Sequence, residues 1–138
     1  MKEQKFPEPT VGALIFNQKS KFLLMKSNKW RDKYVIPGGH IELGEKMEDA
    51  LKREIKEETS LDIYDLEFIC FQEFIFDNIF YKKRHLIFFD YSCKTNSLEV
   101  KLNREAQEYS WFSIEEALKS DLEPYTKRTI EYYIKKMN

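Results

Sequence analysis

No apolar run in the 138-residue chain is long enough to cross a membrane, so no spanning helix is expected. The opening segment, MKEQKFPEPT, lacks the apolar stretch of a secretory signal, which makes the cytoplasm the expected compartment. Cysteine is scarce: Cys70 and Cys93 form neither a metal-binding nor a redox spacing, and both are expected to be inert core residues. Charge of one sign is missing as well. With 23 Lys and Arg against 24 Asp and Glu, the formal charge is −1, so there is no global field to gather a nucleic-acid polymer. A phosphate-bearing ligand would have to be held locally. Repeats, low-complexity tracts and linkers are also absent, and the length suits one domain, residues 1–138, around one core.

Aromatic residues are abundant, at 15% of the chain with eleven Phe and eight Tyr. Most are expected in strands and core, leaving a few to stack on a planar ligand. Residues 11–16 (VGALIF) and 21–26 (KFLLMK) read as a hairpin across a polar turn. A short extended piece at 34–36 leads into Pro37-Gly38-Gly39, which reads as a turn. Residues 45–59 form a helix candidate with acids near its start and no internal Gly or Pro. Two aromatic strands follow, at 66–76 and 84–92, expected to pair antiparallel across DNIFYKK, and then a short strand at 108–112. Ser113 and Glu116 carry the spacing of a capping box, and a last helix is expected after Pro124, from about 125 to 136. The order of elements predicts an α/β fold.

At about 100° per residue, Met47, Ala50, Leu51 and Ile55 share one side of the helix at 45–59 and face the core. Glu54 and Glu58 project to that same side with Glu57 at its edge, so the inward stripe turns acidic in the last two turns. Carboxylates directed inward repel one another and lose hydration unless a cation offsets them. One interpretation is a solvated helix with Arg53 and Glu57 paired across a turn. The other is a hard-metal site, because an all-oxygen donor set suits Mg²⁺ or Mn²⁺ better than Zn²⁺. Gly38 and Gly39 favour the second, since they let backbone come close to a metal and its phosphates.

From Gly39 to Leu61 the chain resembles the signature box of the Nudix hydrolases. That pattern runs glycine, five residues, glutamate, seven residues, then R-E-U-x-E-E-x-G-U with U a bulky aliphatic residue; Gly39, Glu45, Arg53, Glu54, Ile55, Glu57, Glu58 and Leu61 all match in register. Ser60 departs, standing where the pattern has its last glycine. It is expected to strain a left-handed helix exit by about 1 kcal/mol or to reroute it.

The resemblance implies a Nudix α/β/α sandwich, with a mixed β-sheet between the box helix and the C-terminal helices. It also implies Mg²⁺-dependent hydrolysis of a nucleoside diphosphate linked to another group, with Mn²⁺ as the alternative ion. Carried over residue by residue, Gly38 (through its carbonyl), Glu54, Glu57 and Glu58 hold the metal, Arg53 orients those carboxylates, and Glu45 is a weaker supporting ligand. Glu105, ahead of Trp111, is the expected further acid, with Glu108 behind it. Lys26, Arg84 and Phe76 are the expected substrate contacts, with Phe74, Phe80 and Tyr81 as further stacking candidates and Trp30 as a cover. His40 and His85 are not expected to be ligands. The segment from Leu102 to Tyr133 looks like the end of a small MutT-type nucleoside triphosphatase, so a (deoxy)nucleoside triphosphate is the expected substrate. An ADP-ribose or dinucleoside polyphosphate pyrophosphatase is the alternative. Residues 62–90 hold no proline of the kind ADP-ribose-cleaving relatives carry, while Tyr81 comes slightly late for a dinucleoside polyphosphate hydrolase. A nucleotide-sensing domain without turnover is the rival of another class, and the presence of all three metal carboxylates, Glu54, Glu57 and Glu58, argues against it. The expected partners are a small nucleotide and, through the aromatic strands, a second copy of the chain.

Overall fold

The computed structural model describes residues 3–138. Met1 and Lys2, which begin the lead segment, lie outside the described residues. The strands are β1 (Glu8–Phe16), β2 (Phe22–Ser27), β3 (Lys33–Val35), β4 (Gly38–His40), β5 (Tyr64–Ile75), β6 (His85–Lys94) and β7 (Glu108–Phe112). The helices are α1 (Met47–Thr59), α2 (Ile114–Leu118) and α3 (Pro124–Met137). All strands join one mixed sheet whose main path runs β3-β2-β1-β6-β5, with β4 on β1 and β7 on β2. The β1–β6 pair is parallel and the β5–β6 pair antiparallel.

Alternation along the central strands sorts the core into two layers. Ala13, Ile15 and Leu23 turn to one face and pack with Leu51 and Ile55 of α1. Leu14, Phe22 and Leu24 turn to the other and pack with Ala117 of α2 and Ile130 of α3. Each fully buried Leu, Ile or Phe contributes roughly 1.5–3 kcal/mol of burial. This is the helix–sheet–helix sandwich the resemblance implied.

The hairpin forms only at its closed end. Asn17 Oδ1 accepts from the backbone N–H groups of Lys19 and Lys21, at 2.9 and 3.1 Å, and ties the turn. Beyond the Phe16–Phe22 pair, β1 and β2 part: β1 takes β4 as its partner, and β2 takes β3 and β7. The sheet therefore forks, and the fork connects its two faces.

Pro37-Gly38-Gly39 is not a turn. Gly38 and Gly39 are extended and pair with Gly12 and Val11 of β1. Their requirement for glycine is close approach: a Cβ on Gly38 would stand 2.0 Å from the Val11 carbonyl oxygen, and one on Gly39 would stand 2.2 Å from Glu54 Oε2. The turn proper lies downstream at Gly44, whose φ is +84°, and α1 starts at Met47 rather than Glu45.

Ser60 caps α1 with φ 66° and ψ 11°, donating its N–H to the Lys56 carbonyl. The left-handed exit is thus kept and the serine carries its strain. At the other end of the chain, the capping box of Ser113 and Glu116 forms as expected. Glu123 caps α3 by accepting from the N–H groups of Tyr125 and Thr126.

Candidate active site

The α1 carboxylates and Arg53 form a network at the mouth of the fork. Arg53 grips Glu45 with two nitrogens, Nε to Oε2 at 2.7 Å and an Nη2 to Oε1 at 2.9 Å. The same guanidinium donates to Glu54 Oε1 at 2.9 Å, to the His40 carbonyl at 3.0 Å and to Glu57 Oε2 at 3.4 Å. Five planar N–H donors make arginine suited to this bridging. The Arg53 hydrogen bond, above all, holds the Glu45 carboxyl down to about 2, and Glu45 in return raises the guanidinium above its ordinary value. Both Glu45 oxygens are thereby engaged by Arg53.

Glu58 is 4% exposed and accepts from the Gly38 N–H at 2.9 Å. Burial, reinforced by the nearby charge of Glu105, pushes its carboxyl up to about 9. Burial also raises Glu54, against the pull of Arg53. Glu105 faces both of them. Its backbone carbonyl accepts from Ser27 Oγ at 3.0 Å, and its carboxylate lies 3.8 Å from Lys29 Nζ. Three acids from two distant segments thus line the same cavity. Glu57 stays at the solvent edge, its side chain 57% exposed, because it sits off the inward stripe of α1. Among the described residues no group of three His, Cys, Asp or Glu side chains already surrounds a single point. The donors these acids offer are all oxygen, as a hard divalent cation requires.

These acids open into a cavity of about 250 Å³ that runs through the fork. Gly38, Gly39, Glu54, Glu58 and Glu105 line its acidic end. Trp30, Phe80, Phe88 and Tyr125 wall the other, with Trp30 and Phe80 centroids 4.5 Å apart and Phe74 behind them, 5.6 Å from Trp30. Trp30 and Phe80, the expected cover and one of the stacking candidates, thus line the cavity, while Phe74 is fully buried.

Three expected substrate contacts lie elsewhere. Lys26 falls on the opposite face of β2 from Met25 and Ser27, both of which line the cavity; its ammonium sits 3.7 Å from Glu108 and over the Tyr34 ring. Strand alternation is the cause. Phe76 and Arg84 flank a separate recess with Phe6, Lys83 and His85, beyond the aromatic wall. Lys29, in the 3₁₀ turn Asn28–Trp30, is the lysine that lines the cavity.

Asp90, Thr126 and Thr129, which line the cavity on the α3 side, were not anticipated. The signal for Asp90 was present: it is an acid inside an apolar strand, LIFFDY. His40 pairs with Glu8 at 2.9 Å on the surface. Burial pushes the Cys70 and Cys93 thiols up to about 11 and about 12, as inert cysteines require.

A forked mixed sheet thus holds an acid-lined cavity against an arginine-bridged helix. The NUDIX domain family model matches residues 6–133. The nucleoside triphosphatase NudI of Escherichia coli K12 is 32% identical over 103 residues, covering 70% of this chain and 73% of NudI. Among solved structures, the MutT protein of Methanosarcina mazei Go1 superposes with a TM-score of 0.79 at 25% identity, covering 99% of both chains. The NUDIX domain of Shewanella oneidensis NrtR, solved with ADP ribose, gives a TM-score of 0.80 over 98% of this chain and 91% of that one; at 18% identity it speaks for the fold alone. The chain belongs to the Nudix family and is a Nudix hydrolase.

Proposed function

We propose that the protein hydrolyses a (deoxy)nucleoside triphosphate to the nucleoside monophosphate and pyrophosphate, with Mg²⁺ held by Glu54, Glu57, Glu58 and the Gly38 carbonyl. The observation that carries this reading is the placement of Glu54, Glu58 and Glu105 at one end of a cavity whose other end is walled by aromatic rings. A triphosphate has the matching polarity: anionic oxygens that need a cation and a flat base that needs a ring. Similarity to NudI, named a nucleoside triphosphatase, supports the same substrate class.

When bound, the cation supplies charge neutralisation for the phosphate oxygens and lowers the pKa of the attacking water. Arg53 keeps the Glu54 carboxylate turned toward the cavity while Glu45 fixes the guanidinium. Gly39, without a side chain, leaves room for Glu54. Glu105 stands at the cavity edge, free to accept the proton of the water that attacks phosphorus. Lys29 lies beside it and holds anionic oxygens. Trp30 and Phe80 stack on the base and exclude solvent from it.

Nucleoside triphosphates, ADP-ribose and diadenosine tetraphosphate incubated with Mg²⁺, with products separated by ion exchange, test this directly. Triphosphates are expected to be cleaved fastest, with pyrophosphate as co-product. Faster cleavage of ADP-ribose or the dinucleotide, or release of orthophosphate alone, would reject it.

A further inference from the structure

Asp90 lies in the cavity yet has no part in the chemistry described above. It is 5% exposed and sits on β6 directly across from Gly12 of β1. Its Oδ2 accepts the Thr129 hydroxyl at 2.7 Å. The Tyr125 carbonyl is the hydroxyl's longer alternative acceptor at 3.1 Å, and Thr129 Oγ1 in turn accepts from Gln72 Nε2 at 3.0 Å. The second Gln72 amide hydrogen goes to the Tyr125 carbonyl at 2.9 Å. Among the described residues no donor lies within hydrogen-bond distance of Oδ1, and the nearby Gln72 amide steadies the carboxylate.

The space in front of Oδ1 is kept open by glycine. A Cβ on Gly12 would stand 3.0 Å from Oδ1 and 3.1 Å from the Ile36 side chain. The other buried acid on this side, Glu123, has both oxygens engaged by backbone N–H groups of α3, at 2.6 and 3.0 Å. No side-chain oxygen among the described residues is both fully buried and unpaired, so Oδ1 opens to the cavity, where a ligand can supply its donor. Asp90 lines the same cavity as Trp30, Phe80, Phe88 and Tyr125, where a flat ring would lie.

We propose that Asp90 is a specificity-determining residue, its Oδ1 accepting a hydrogen bond from an N–H on the edge of the nucleobase. This rests on the nucleotide reading above and adds the selecting group. Burial pushes the carboxyl up to about 6, so at neutral pH it remains mostly an acceptor. Asp90→Asn keeps the shape but can turn an amide N–H₂ toward the ligand, reversing the polarity of the contact.

The test is calorimetric binding of nucleoside monophosphates with Mg²⁺, which needs no turnover. Uridine, cytidine, adenosine and guanosine monophosphates are each compared with the analogue whose base-edge N–H groups are methylated. For the tightest of the four parents, methylation should weaken wild-type binding by roughly tenfold or more, and the parent-to-methylated ratio should fall at least about fivefold in Asp90→Asn. If Asp90→Asn does not fold, Thr129→Val, which releases Oδ2, should lower the same ratio. A purely structural Asp90 would weaken both members of a pair equally, and an unchanged ratio overturns the assignment alone. Binding of no nucleotide together with no triphosphate turnover would overturn both the assignment and the reading beneath it.

Discussion

Gly38 and Gly39 are adjacent, yet alanine at the two positions should fail in different ways. At Gly39 the three atoms nearest the new Cβ would all belong to Glu54, with Oε2 at 2.2 Å and Cδ at 2.3 Å. Glu54 is a flexible side chain, so its carboxylate swings aside and the backbone stays. The variant then loses the 2.9 Å hydrogen bond from Arg53, a charge-assisted contact worth about 1.5–3 kcal/mol. Displacing the carboxylate by about 1 Å should lower kcat by roughly a hundredfold. At Gly38 the Cβ would stand 2.0 Å from the Val11 carbonyl oxygen and 2.7 Å from the Gly12 Cα. Neither atom can move without breaking the β1–β4 pairing, so the cost should exceed about 3 kcal/mol, a large share of a domain's stability. Urea titrations and kcat/KM on the same preparations separate the two effects. Gly39→Ala should remain folded and nearly inactive, and Gly38→Ala should show a much lower midpoint or fail to fold. A Gly39→Ala protein with wild-type turnover, or a Gly38→Ala protein with a wild-type midpoint, would refute the close-approach explanation.

Further outcomes follow from the charges and the strained cap. Glu58→Gln should cut turnover by roughly a hundredfold or more, while raising the metal-free melting temperature at pH 9–10, where the buried Glu58 charge beside Glu105 is otherwise present; a lowered melting temperature there would contradict the repulsion. Asp90 binds its proton more tightly in the folded protein, at about 6 against an ordinary 3.8. Its contribution to stability is therefore fully present below about pH 3.8 and lost as the pH rises through about 6, on the order of 3 kcal/mol in all. Denaturant titrations from pH 4 to 7 should show wild type losing stability relative to Asp90→Asn; a constant difference would dismiss the burial cost. Ser60→Gly should relieve the left-handed exit and raise the stability by about 1 kcal/mol with unchanged activity, as read by thermal melts.

The chemistry of α1 was legible because one helix carries it. Glu54 and Glu58 reach the inner face, and Arg53 bridges their neighbours, through spacing that 3.6 residues per turn determines. The helix–sheet–helix sandwich was equally legible from strand and helix order together with the resemblance. What depends on pairing between distant strands was not. Glycine looks the same in sequence whether it turns the chain or lets two strands touch, so Gly38 and Gly39 read as a turn. The resemblance implied a substrate contact for Lys26, but the side it faces is decided by alternation about a sheet whose fork only the β1–β4 pairing reveals. Lys29, beyond the strand end, reaches the cavity instead. Phe76 and Arg84 flank the β5–β6 loop, and which residues of so long a hairpin face the cavity depends on its register. Asp90 is an acid in an apolar strand, a signal the sequence reading passed over, and its open oxygen is visible only once Thr129 and Gln72 are brought beside it.

Titration calorimetry of Mg²⁺ into the wild-type protein and into Glu58→Gln, with a nonhydrolysable triphosphate present, tests the acidic end of the cavity most directly. Wild type should take up divalent cation, more tightly as the pH rises from 7 to 9 because the ion displaces the Glu58 proton, and Glu58→Gln should bind at least about tenfold more weakly. Equal binding by the two proteins, or no uptake by wild type, would contradict a cation site built on these glutamates.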